Sequence, residues 1–428
     1  MRFVFHGAAQ EVGRSCIEMS VGDGPDERRF LLDAGFKVHG DNPLLPTTVA
    51  DIGAIDGVFI THAHMDHIGA LPYLHHSGLS SPIFMTGMTK RLSEIMLEDS
   101  FHLELLRHHH PAYTNMDVRQ ILKRTQEIKY FHLLKFHDLE FEYMPSGHIP
   151  GASMILFNAD GKTILYSGDI FDKDTHLLHG FQTDFLKRHD VDVLILESTY
   201  GNKDHKNRRT EEKRFAAAVQ KYLKKGGSVL IPSFAIGRAQ ELLMMLGEMD
   251  LEVPLYLDGM AKRVAQVLVK KDLHIRNADR LRRALSKTRI VRHAKDRKKI
   301  LHNPAVIVTT SGMVSGGPVM EYIKHFWHDE KSSILLTGFQ GAGTNGRMLL
   351  ESQQAYVDGM LLDFRCGIER FDFSGHIGRS GLVRFAKKVA PKQIILNHGD
   401  REAIESLREE LSKITEVHVP SLGSSIML

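Results

Sequence analysis

The sequence has little cysteine, no long apolar run and no marked excess of charge, and the first two shortages each exclude a class of protein. Two cysteines, Cys16 and Cys366, are too few for a disulfide-stapled secreted domain, so a reducing cytoplasm is the expected location. No apolar run reaches the length of about eighteen residues that a membrane helix needs, and the N-terminus does not resemble a signal peptide. A net charge of +3 neither requires nor excludes a nucleic-acid partner.

Length and composition predict a large globular protein with more than one domain. The chain has 428 residues, of which 42% are hydrophobic and 25% charged, both ordinary for such proteins. Short apolar segments, such as 57–61 and 193–198, alternate with amphipathic segments, such as 88–107, 114–126 and 210–225. This alternation predicts strands and helices in α/β domains whose sheets have much parallel character.

The pattern indicates one domain interrupted by another. A second series of strands and helices begins near Thr210, and the earlier style resumes toward the C-terminus. We therefore predict an outer domain made of residues 1–204 and 366–428, with an insert that covers residues 205–365.

The segment from His62 to His67 is the strongest chemical signal. It reads HAHMDH, follows an apolar strand and opens a helix. Residues two apart on an extended chain point the same way, so His62 and His64 can face one ligand, with Asp66 and His67 on the turn beyond. Imidazole and carboxylate suit zinc, and so many donors in one short loop could serve two metals. The alternative is a helix-capping aspartate with incidental histidines.

One short loop cannot complete the ligand shells of two metals, so further ligands are expected at other strand ends. His148 in PSGHIPG, Asp169 in YSGDI and His398 in LNHGD each follow a predicted strand and adjoin glycine, which lets backbone approach closely. Each of these residues alone is more typical of an ordinary loop. Their shared position at strand ends predicts that they complete a two-metal hydrolytic site.

The ordered motifs resemble the metallo-β-lactamase superfamily and, within it, the β-CASP branch of nucleic-acid nucleases. The superfamily motifs correspond to LDAG with Asp33, THAHMDH, SGH with His148 and SGD with Asp169. The β-CASP motifs correspond to Glu197 in ESTYGN, to Ser374-Gly375-His376, to His398-Gly399 and to insert signatures at 232–243, 310–318 and 338–347. The resemblance spans nearly the whole chain and implies an α/β fold, an αββα sandwich with an inserted α/β (β-CASP) domain.

The resemblance also implies how the site binds metal. It implies two Zn²⁺ per chain, with Mn²⁺ as the alternative metal. The ligands of one ion would be His62, His64 and His148. The ligands of the other would be Asp66, His67 and His398. Asp169 would bridge the two ions, and Asp33 would support the ligand loop from behind.

Three residues receive catalytic roles by the same resemblance. Asp66 would orient the attacking water while it binds metal. His376 would be the general acid that protonates the departing 3′ oxygen, and Glu197 would favour its imidazolium. The alternatives are a loop histidine at 376 and a turn-capping carboxylate at 197.

Phosphate contacts are expected from hydroxyl groups and arginines in the glycine-rich loops. The candidates are Ser374, Arg238, Thr344, Arg347 and Arg379, for which a role in turns between domains is the alternative. The basic segments Lys295–Lys299 and Arg208-Arg209 could attract phosphate without specificity. A solvated surface is the alternative for both, and a solvated helix end is expected for His108–His110.

The expected substrate is single-stranded RNA. In the β-CASP branch the last motif carries histidine in members that cut RNA, and His398 matches that pattern. The insert is expected to cover the metal site and admit a single strand. The resemblance implies mainly endonucleolytic cutting, with 5′→3′ exonuclease activity and a homodimer as further options. Hydrolysis of a small ester, thioester or lactam is the alternative, and an inactive scaffold is disfavoured because the ligand set is complete.

The sequence departs from the pattern of its relatives in two respects. The long C-terminal domain of one ribonuclease type is not seen, because the sequence ends about thirty residues after His398. The N-terminal RNA-binding domains of some archaeal relatives are also not seen. These departures leave the target choice and the preference for particular 5′ ends open.

Overall fold

The computed structural model describes residues 1–39, 42–47, 49–107, 112–270 and 275–428. These residues form two units. The first unit comprises Met1–Lys173, Gly180–Asp204 and His376–Leu428, and the second comprises Asp174–His179 and His205–Gly375. No helix within the described ranges has the length and apolar character that a membrane crossing requires. His108–His110 lie outside these ranges.

The division differs from the predicted boundary between residues 365 and 366. Residues 366–375 belong to the second unit, because the strand Gly367–Arg370 pairs in parallel with Ser333–Leu336 and extends the sheet of that unit. A short segment, Asp174–His179, also belongs to the second unit, although the sequence around it gives no sign of a boundary.

The N-terminal part of the first unit alternates short strands with helices. Its strands are β1 (Arg2–Phe5), β2 (Ile17–Val21), β3 (Arg28–Leu32), β4 (Lys37–His39), β5 (Asn42–Leu44), β6 (Gly57–Phe59), β7 (Ile83–Thr86), β8 (Thr125–Ile128), β9 (Leu134–Phe136), β10 (Leu139–Pro145), β11 (Ser153–Ala159), β12 (Lys162–Tyr166) and β13 (Val193–Glu197). Its helices are α1 (Met65–Ile68), α2 (Leu71–His76), α3 (Gly87–Arg107) and α4 (Asn115–Arg124).

Helix α4 shows how local chemistry sets a boundary. The Thr114 hydroxyl accepts from the Asp117 amide at 3.3 Å, and the Asp117 carboxylate accepts from the Thr114 amide at 2.7 Å. This reciprocal cap satisfies two amides that no helical carbonyl can reach. The predicted helix 114–126 runs too far, because Thr125 already begins β8.

The second unit repeats strand and helix in sequence. Its strands are β14 (Val229–Pro232), β15 (Leu255–Leu257), β16 (Arg289–Ile290), β17 (Val306–Thr309), β18 (Ser333–Leu336), β19 (Gln354–Val357), β20 (Met360–Asp363) and β21 (Gly367–Arg370). Its helices are α5 (Arg208–Lys224), α6 (Arg238–Leu246), α7 (Ala261–Lys270), α8 (Ala278–Lys287), α9 (Asp296–Ile300), α10 (Val319–Phe326) and α11 (Asn345–Ser352).

The chain then returns to the first unit. This last part contains α12 (Arg379–Val389), β22 (Gln393–Asn397), α13 (Arg401–Leu411), β23 (Glu416–His418) and β24 (Ser425–Met427).

The first unit is an αββα sandwich, which confirms the predicted fold. One sheet has the strand order β24-β1-β2-β3-β6-β7-β8 and the other β23-β22-β13-β12-β11-β10-β9. Aromatic side chains of both sheets share one core, in which the rings of Phe59 and Phe157 meet edge to face at 5.0 Å. Each such buried side chain contributes roughly 1.5–3 kcal/mol. Helices α12 and α13 cover the other face of the second sheet through Leu382 and Leu407.

The second unit is a doubly wound α/β domain. Its main sheet has the order β16-β15-β17-β14-β18-β21, and all neighbouring strands in it are parallel. Val229 and Ile231 face one core, whereas Leu230 between them faces the other. Helices therefore cover both faces of the sheet, which explains why its strands read as continuous apolar runs.

Candidate metal centre and active site

The strand-end residues predicted as metal ligands lie together at one edge of the first unit. Strands β12, β13 and β22 are parallel neighbours, with Tyr166 opposite Ile195 and Glu197 opposite Asn397. Parallel strands end at the same edge of a sheet, so the residues that follow them meet there. Asp169 follows β12 in this way, and His398 follows β22.

A first metal group consists of His62, His64, His148 and Asp169. The Nδ1 atom of His64 lies 3.2 Å from Nε2 of His62 and 3.1 Å from Nε2 of His148. The Oδ2 atom of Asp169 lies 3.5 Å and 3.6 Å from the same two Nε2 atoms. Four ligands at about 2.0–2.1 Å from a tetrahedral zinc ion are separated by about 3.3–3.4 Å. The donor set and its spacing therefore fit zinc.

A second metal group consists of Asp66, His67 and His398. Nε2 of His398 lies 3.4 Å from Oδ2 of Asp66, and Nε2 of His67 lies 3.4 Å from Oδ2 of Asp169. The other carboxylate oxygen of Asp169, Oδ1, lies 3.2 Å from Nδ1 of His398. The Asp169 carboxylate thus faces both groups.

Unsatisfied buried atoms give independent support for bound metal. Within the described residues, Nε2 of His67 and Oδ1 of Asp169 are buried and form no hydrogen bond, only the charge contacts of 3.4 Å and 3.2 Å given above. Leaving such atoms unpaired costs about 1–3 kcal/mol each, and more for a charged group. Cations bound to the two groups would satisfy these atoms, so the residues fit a metal centre.

Burial and neighbouring charges set the protonation of the predicted ligands. Desolvation, assisted by the charge of His67, holds the pKa of His62 well below its ordinary value. Desolvation likewise lowers the pKa of His64 to about 4. Burial alone would raise the pKa of Asp169, but the charges of His398 and His67 hold it well below its usual range. Neutral imidazole and ionised carboxylate are the forms that bind metal.

Asp33 lies directly behind the ligand loop. Its side chain is buried, and its Oδ2 atom accepts a hydrogen bond from Nδ1 of His67 at 2.7 Å. This bond leaves Nε2 of His67 to face Asp169. Burial by itself lowers the pKa of His67, but the charges of Asp169 and Asp33 raise it well above its ordinary value.

Glycine at 168 allows the loop with Asp169 to reach the ligands. Its φ is +50°, and a β-carbon placed there would lie 2.8 Å from the β-carbon of Thr61. Only glycine tolerates both this backbone conformation and so close an approach. The loop after β12 is thereby held against the residue that precedes His62.

His376 and Glu197 form a hydrogen-bonded pair beside the first metal group. Nδ1 of His376 lies 3.1 Å from Oε2 of Glu197, and Nε2 lies 3.9 Å from Oδ2 of Asp169. Glu197 is itself fixed, because its Oε1 accepts from the Ile170 amide at 2.7 Å. Burial alone would lower the pKa of His376, but the charges of Glu197 and Asp169 raise it to about 9. The donor atoms of Asp169, Glu197 and His376 are also close enough to hold a cation.

The predicted phosphate contacts of the second unit each have a local partner. Arg238 forms an ion pair with Glu241, which is buried. The Thr344 hydroxyl caps α11 by accepting from the Arg347 amide at 3.3 Å. The Arg347 side chain reaches Glu351 at 2.6 Å. These contacts hold helices in place, and phosphate binding by these residues stays a prediction.

The remaining candidate phosphate contacts flank the return to the first unit. Ser374 is buried, and Arg379 begins α12 with its guanidinium 3.6 Å from Glu410. Their contact with phosphate also stays a prediction. In the basic segment Lys295–Lys299, Arg297 turns toward the buried Asp258 at 2.7 Å, whereas Lys298 and Lys299 are exposed.

Two residues of the site carry no recognisable sequence signal. The Tyr166 hydroxyl and the Thr61 side chain both hydrogen-bond to Asp33. A tyrosine that ends a strand or a threonine before a histidine is common in any α/β protein. Both residues stand within the motifs THAHMDH and YSGDI, but neither residue type by itself indicates a contact with Asp33.

Three family models match the chain. A β-lactamase superfamily domain matches residues 28–223, and a Beta-Casp domain matches residues 239–349. A domain described as a Zn-dependent metallo-hydrolase RNA specificity domain matches residues 362–420.

Curated relatives match along nearly the whole chain. A probable RNase of Methanocaldococcus jannaschii is 36% identical over the full length of both chains. An RNase of Saccharolobus solfataricus is 33% identical, over 99% of this chain and 84% of its own. The cleavage and polyadenylation specificity factor 73 of Drosophila melanogaster is 30% identical, over 95% of this chain and 61% of its own.

A solved structure shares the fold. A protein of unknown function from Enterococcus faecalis superposes with a TM-score of 0.61 and 14% identity. The match covers 100% of this chain and 99% of that one.

Proposed function

The chain belongs to the β-CASP branch of the β-lactamase superfamily and is a metal-dependent ribonuclease, and we propose that it hydrolyses phosphodiester bonds within single-stranded RNA. The relatives named as RNases and the match to an RNA specificity domain support RNA as the substrate. A 5′→3′ exonuclease activity is a second mode that the experiment below examines.

We propose that two zinc ions occupy the two metal groups. His62, His64 and His148 would hold one ion, Asp66, His67 and His398 the other, and Asp169 both. When bound, the ions would acidify a water and offset the charge that develops on the phosphate oxygens. The support is the distance of 3.1–3.6 Å between donor atoms, which lies close to the separation of about 3.3–3.4 Å in a tetrahedral zinc site. Manganese is the alternative, because it accepts the same ligand types.

Asp66 is the ligand best placed to orient the attacking water. Its side chain is 31% exposed, whereas those of Asp169 and His398 are almost completely buried. Burial by itself raises the pKa of Asp66, but the hydrogen bond with His398 and the charge of His67 hold it below its usual range. An ionised carboxylate that solvent reaches can accept a proton of the water and turn its lone pair toward phosphorus.

His376 is the proposed general acid, and its geometry is the observation that carries the mechanism. Glu197 occupies the Nδ1 side of the ring, so the Nε2 side points toward Asp169 and the metal groups. A proton on Nε2 is therefore directed at the place where a bound phosphodiester would release its 3′ oxygen. Protonating that oxygen removes the negative charge that otherwise slows bond cleavage.

The test is cleavage mapping with purified full-length protein. Single-stranded RNAs with 5′-triphosphate, monophosphate or hydroxyl ends are incubated with the zinc-loaded protein, and products are mapped by sequencing gels. We expect internal cuts that Asp66→Ala abolishes and that Asp138→Ala, an exposed aspartate in the same unit, leaves unchanged. Intact RNA together with hydrolysis of a thioester would overturn the proposal. Products shortened stepwise from the 5′ end would establish the exonuclease mode.

We also propose a cytoplasmic homodimer. The free and buried thiols Cys16 and Cys366 require no oxidising compartment, which supports the location. The homodimer rests on the resemblance to the family, and light scattering of the purified protein would give a mass of about twice the 48.3 kDa of the chain if it is correct.

A further inference from the structure

One buried carboxylate connects to histidines of both metal groups. Asp33 is fully buried and accepts hydrogen bonds from His67 Nδ1 at 2.7 Å, from the Tyr166 hydroxyl at 2.7 Å and from the Thr61 amide at 2.8 Å. The Thr61 hydroxyl also lies 2.9 Å and 3.1 Å from the two carboxylate oxygens. The same hydroxyl is 3.0 Å from Nδ1 of His62.

The direction of each hydrogen bond follows from the chemistry of the groups. An ionised carboxylate only accepts, so the Thr61 hydroxyl donates its single proton to Asp33. The hydroxyl can then only accept from its other neighbour, and Nδ1 of His62 must carry the proton. His67 likewise donates from Nδ1 to Asp33 directly. Both histidines therefore direct an Nδ1 proton toward the Asp33 network and turn Nε2 to their metal group, and His67 gives up its Nε2 proton when metal binds.

We propose that Thr61 is a positioning residue. Its hydroxyl links the Asp33 carboxylate to Nδ1 of His62, and we call this link the relay. One carboxylate thereby fixes the Nδ1 proton of one histidine in each metal group. The proposal rests on the metal-dependent function argued above. It assigns the two histidines different supports: His67 binds Asp33 directly, and His62 depends on the hydroxyl of Thr61.

The remaining hydrogen bonds hold the carboxylate in place. The Tyr166 hydroxyl donates to Asp33, so it accepts from the Ser15 hydroxyl 3.1 Å away. The Thr61 amide fixes the Oδ1 atom of Asp33 from the other side. With its carboxylate fixed in this way, Asp33 can orient both imidazole rings before any metal binds, which reduces the conformational entropy lost on binding.

Thr61→Val tests the relay, because valine keeps the shape and the backbone amide and removes only the hydroxyl. His62 then has no acceptor for its Nδ1 proton. We expect ¹⁵N NMR of histidine-labelled, metal-free protein to show loss of the Nδ1-protonated tautomer at His62 and an unchanged signal from the His67 ring. Loss of such a supporting group typically weakens metal binding about 10–100-fold. When zinc is titrated against a chelator, we expect that loss in one of two binding steps, with the other step unchanged.

Two further variants distinguish loss of the relay from a general loss of folding or stability. Thr61→Ser restores a hydroxyl and should return zinc affinity to within about threefold of the unmodified protein. Thr125→Val is the matched control, because Thr125 is buried in the same unit and its hydroxyl donates to the Ile121 carbonyl at 2.9 Å, with no link to Asp33. It should leave the His62 tautomer and zinc affinity unchanged.

The outcomes distinguish this inference from the proposed function. An unchanged His62 tautomer in Thr61→Val overturns the relay, as does an equal loss of zinc affinity in Thr61→Val and Thr125→Val. Both readouts are made without RNA. A protein that binds zinc and shows the expected tautomers but leaves RNA intact would overturn the ribonuclease proposal and keep the relay.

Discussion

The metal groups of the first unit and the glycine-rich loops of the second unit were both predicted from short motifs. They differ in where their side chains find contacts. In the first unit, donor atoms of the predicted ligands come from separate strand ends and lie 3.1–3.6 Å from one another. In the second unit, the predicted phosphate contacts Arg238, Thr344 and Arg347 each meet a neighbour on the same helix or turn.

The difference reflects what each ligand demands. A metal ion needs several donors at fixed separation, and histidines and aspartates rarely gather at several strand ends without one. A phosphate contact needs only one suitable group. An arginine in a glycine-rich loop therefore does not by itself indicate a phosphate contact. It can equally form an ion pair with a glutamate three or four residues along a helix, as Arg347 does with Glu351.

The largest expected effect is on the rate of RNA cleavage, and it distinguishes the proposed metal ligands from the proposed general acid. Under the proposed roles, in which His376 donates a proton and binds neither ion, His376→Ala should reduce the rate of RNA cleavage about 10²–10⁴-fold and keep full metal content. His398→Ala should reduce metal content as well. Cleavage rates and plasma emission spectroscopy of the same samples check this. Equal metal loss in both variants would contradict the division of roles.

Arg238→Ala examines the second unit. Glu241 is buried and would lose one of its two arginine partners, so we expect unfolding in urea to show a loss of about 2–3 kcal/mol. Arg238→Lys should recover part of that stability. If stability is unchanged and KM for RNA rises tenfold, Arg238 is a phosphate contact, and the contrast between the two regions is lost.

The pH dependence of the stability of the second unit provides a third measurement. Burial alone would raise the pKa of Asp372, but the hydrogen bond with His205 lowers it to about 2. Because the folded pKa is depressed, the stabilisation is complete above the unfolded value near 4 and is lost as pH falls through about 2. This amounts to about 2 kcal/mol. Asp372→Asn should flatten the stability profile between pH 4 and 2, and an unchanged slope would contradict the assignment.

The smallest expected effect concerns Arg347. Its pair with Glu351 is largely exposed, so Arg347→Ala should change stability by less than about 0.5 kcal/mol. Filter binding of single-stranded RNA then reports directly on phosphate contact, since no folding defect obscures it. A several-fold weaker affinity would establish the contact, and an unchanged affinity would leave Arg347 as a helix-surface residue.

Much of the fold and of the candidate site was predictable from the sequence. Alternating apolar and amphipathic segments indicated α/β architecture, because buried strands and surface helices leave different periodicities. The domain boundary was harder to predict. Strand β21 belongs to the sheet of the second unit because it pairs with β18, and the residues Gly367–Arg370 do not indicate which strand they pair with.

What the sequence determined by itself was the kind of chemistry, because histidine and aspartate at glycine-flanked strand ends are costly to place without a metal. What only the tertiary structure decided was how these groups are held. Thr61, Tyr166 and Asp33 come from distant parts of the chain and meet through hydrogen bonds of 2.7–3.1 Å. Such contacts depend on the packing of two sheets. Asp33 stands in a motif that predicted its supporting role, but nothing in the sequence indicates that Thr61 and Tyr166 hydrogen-bond to it.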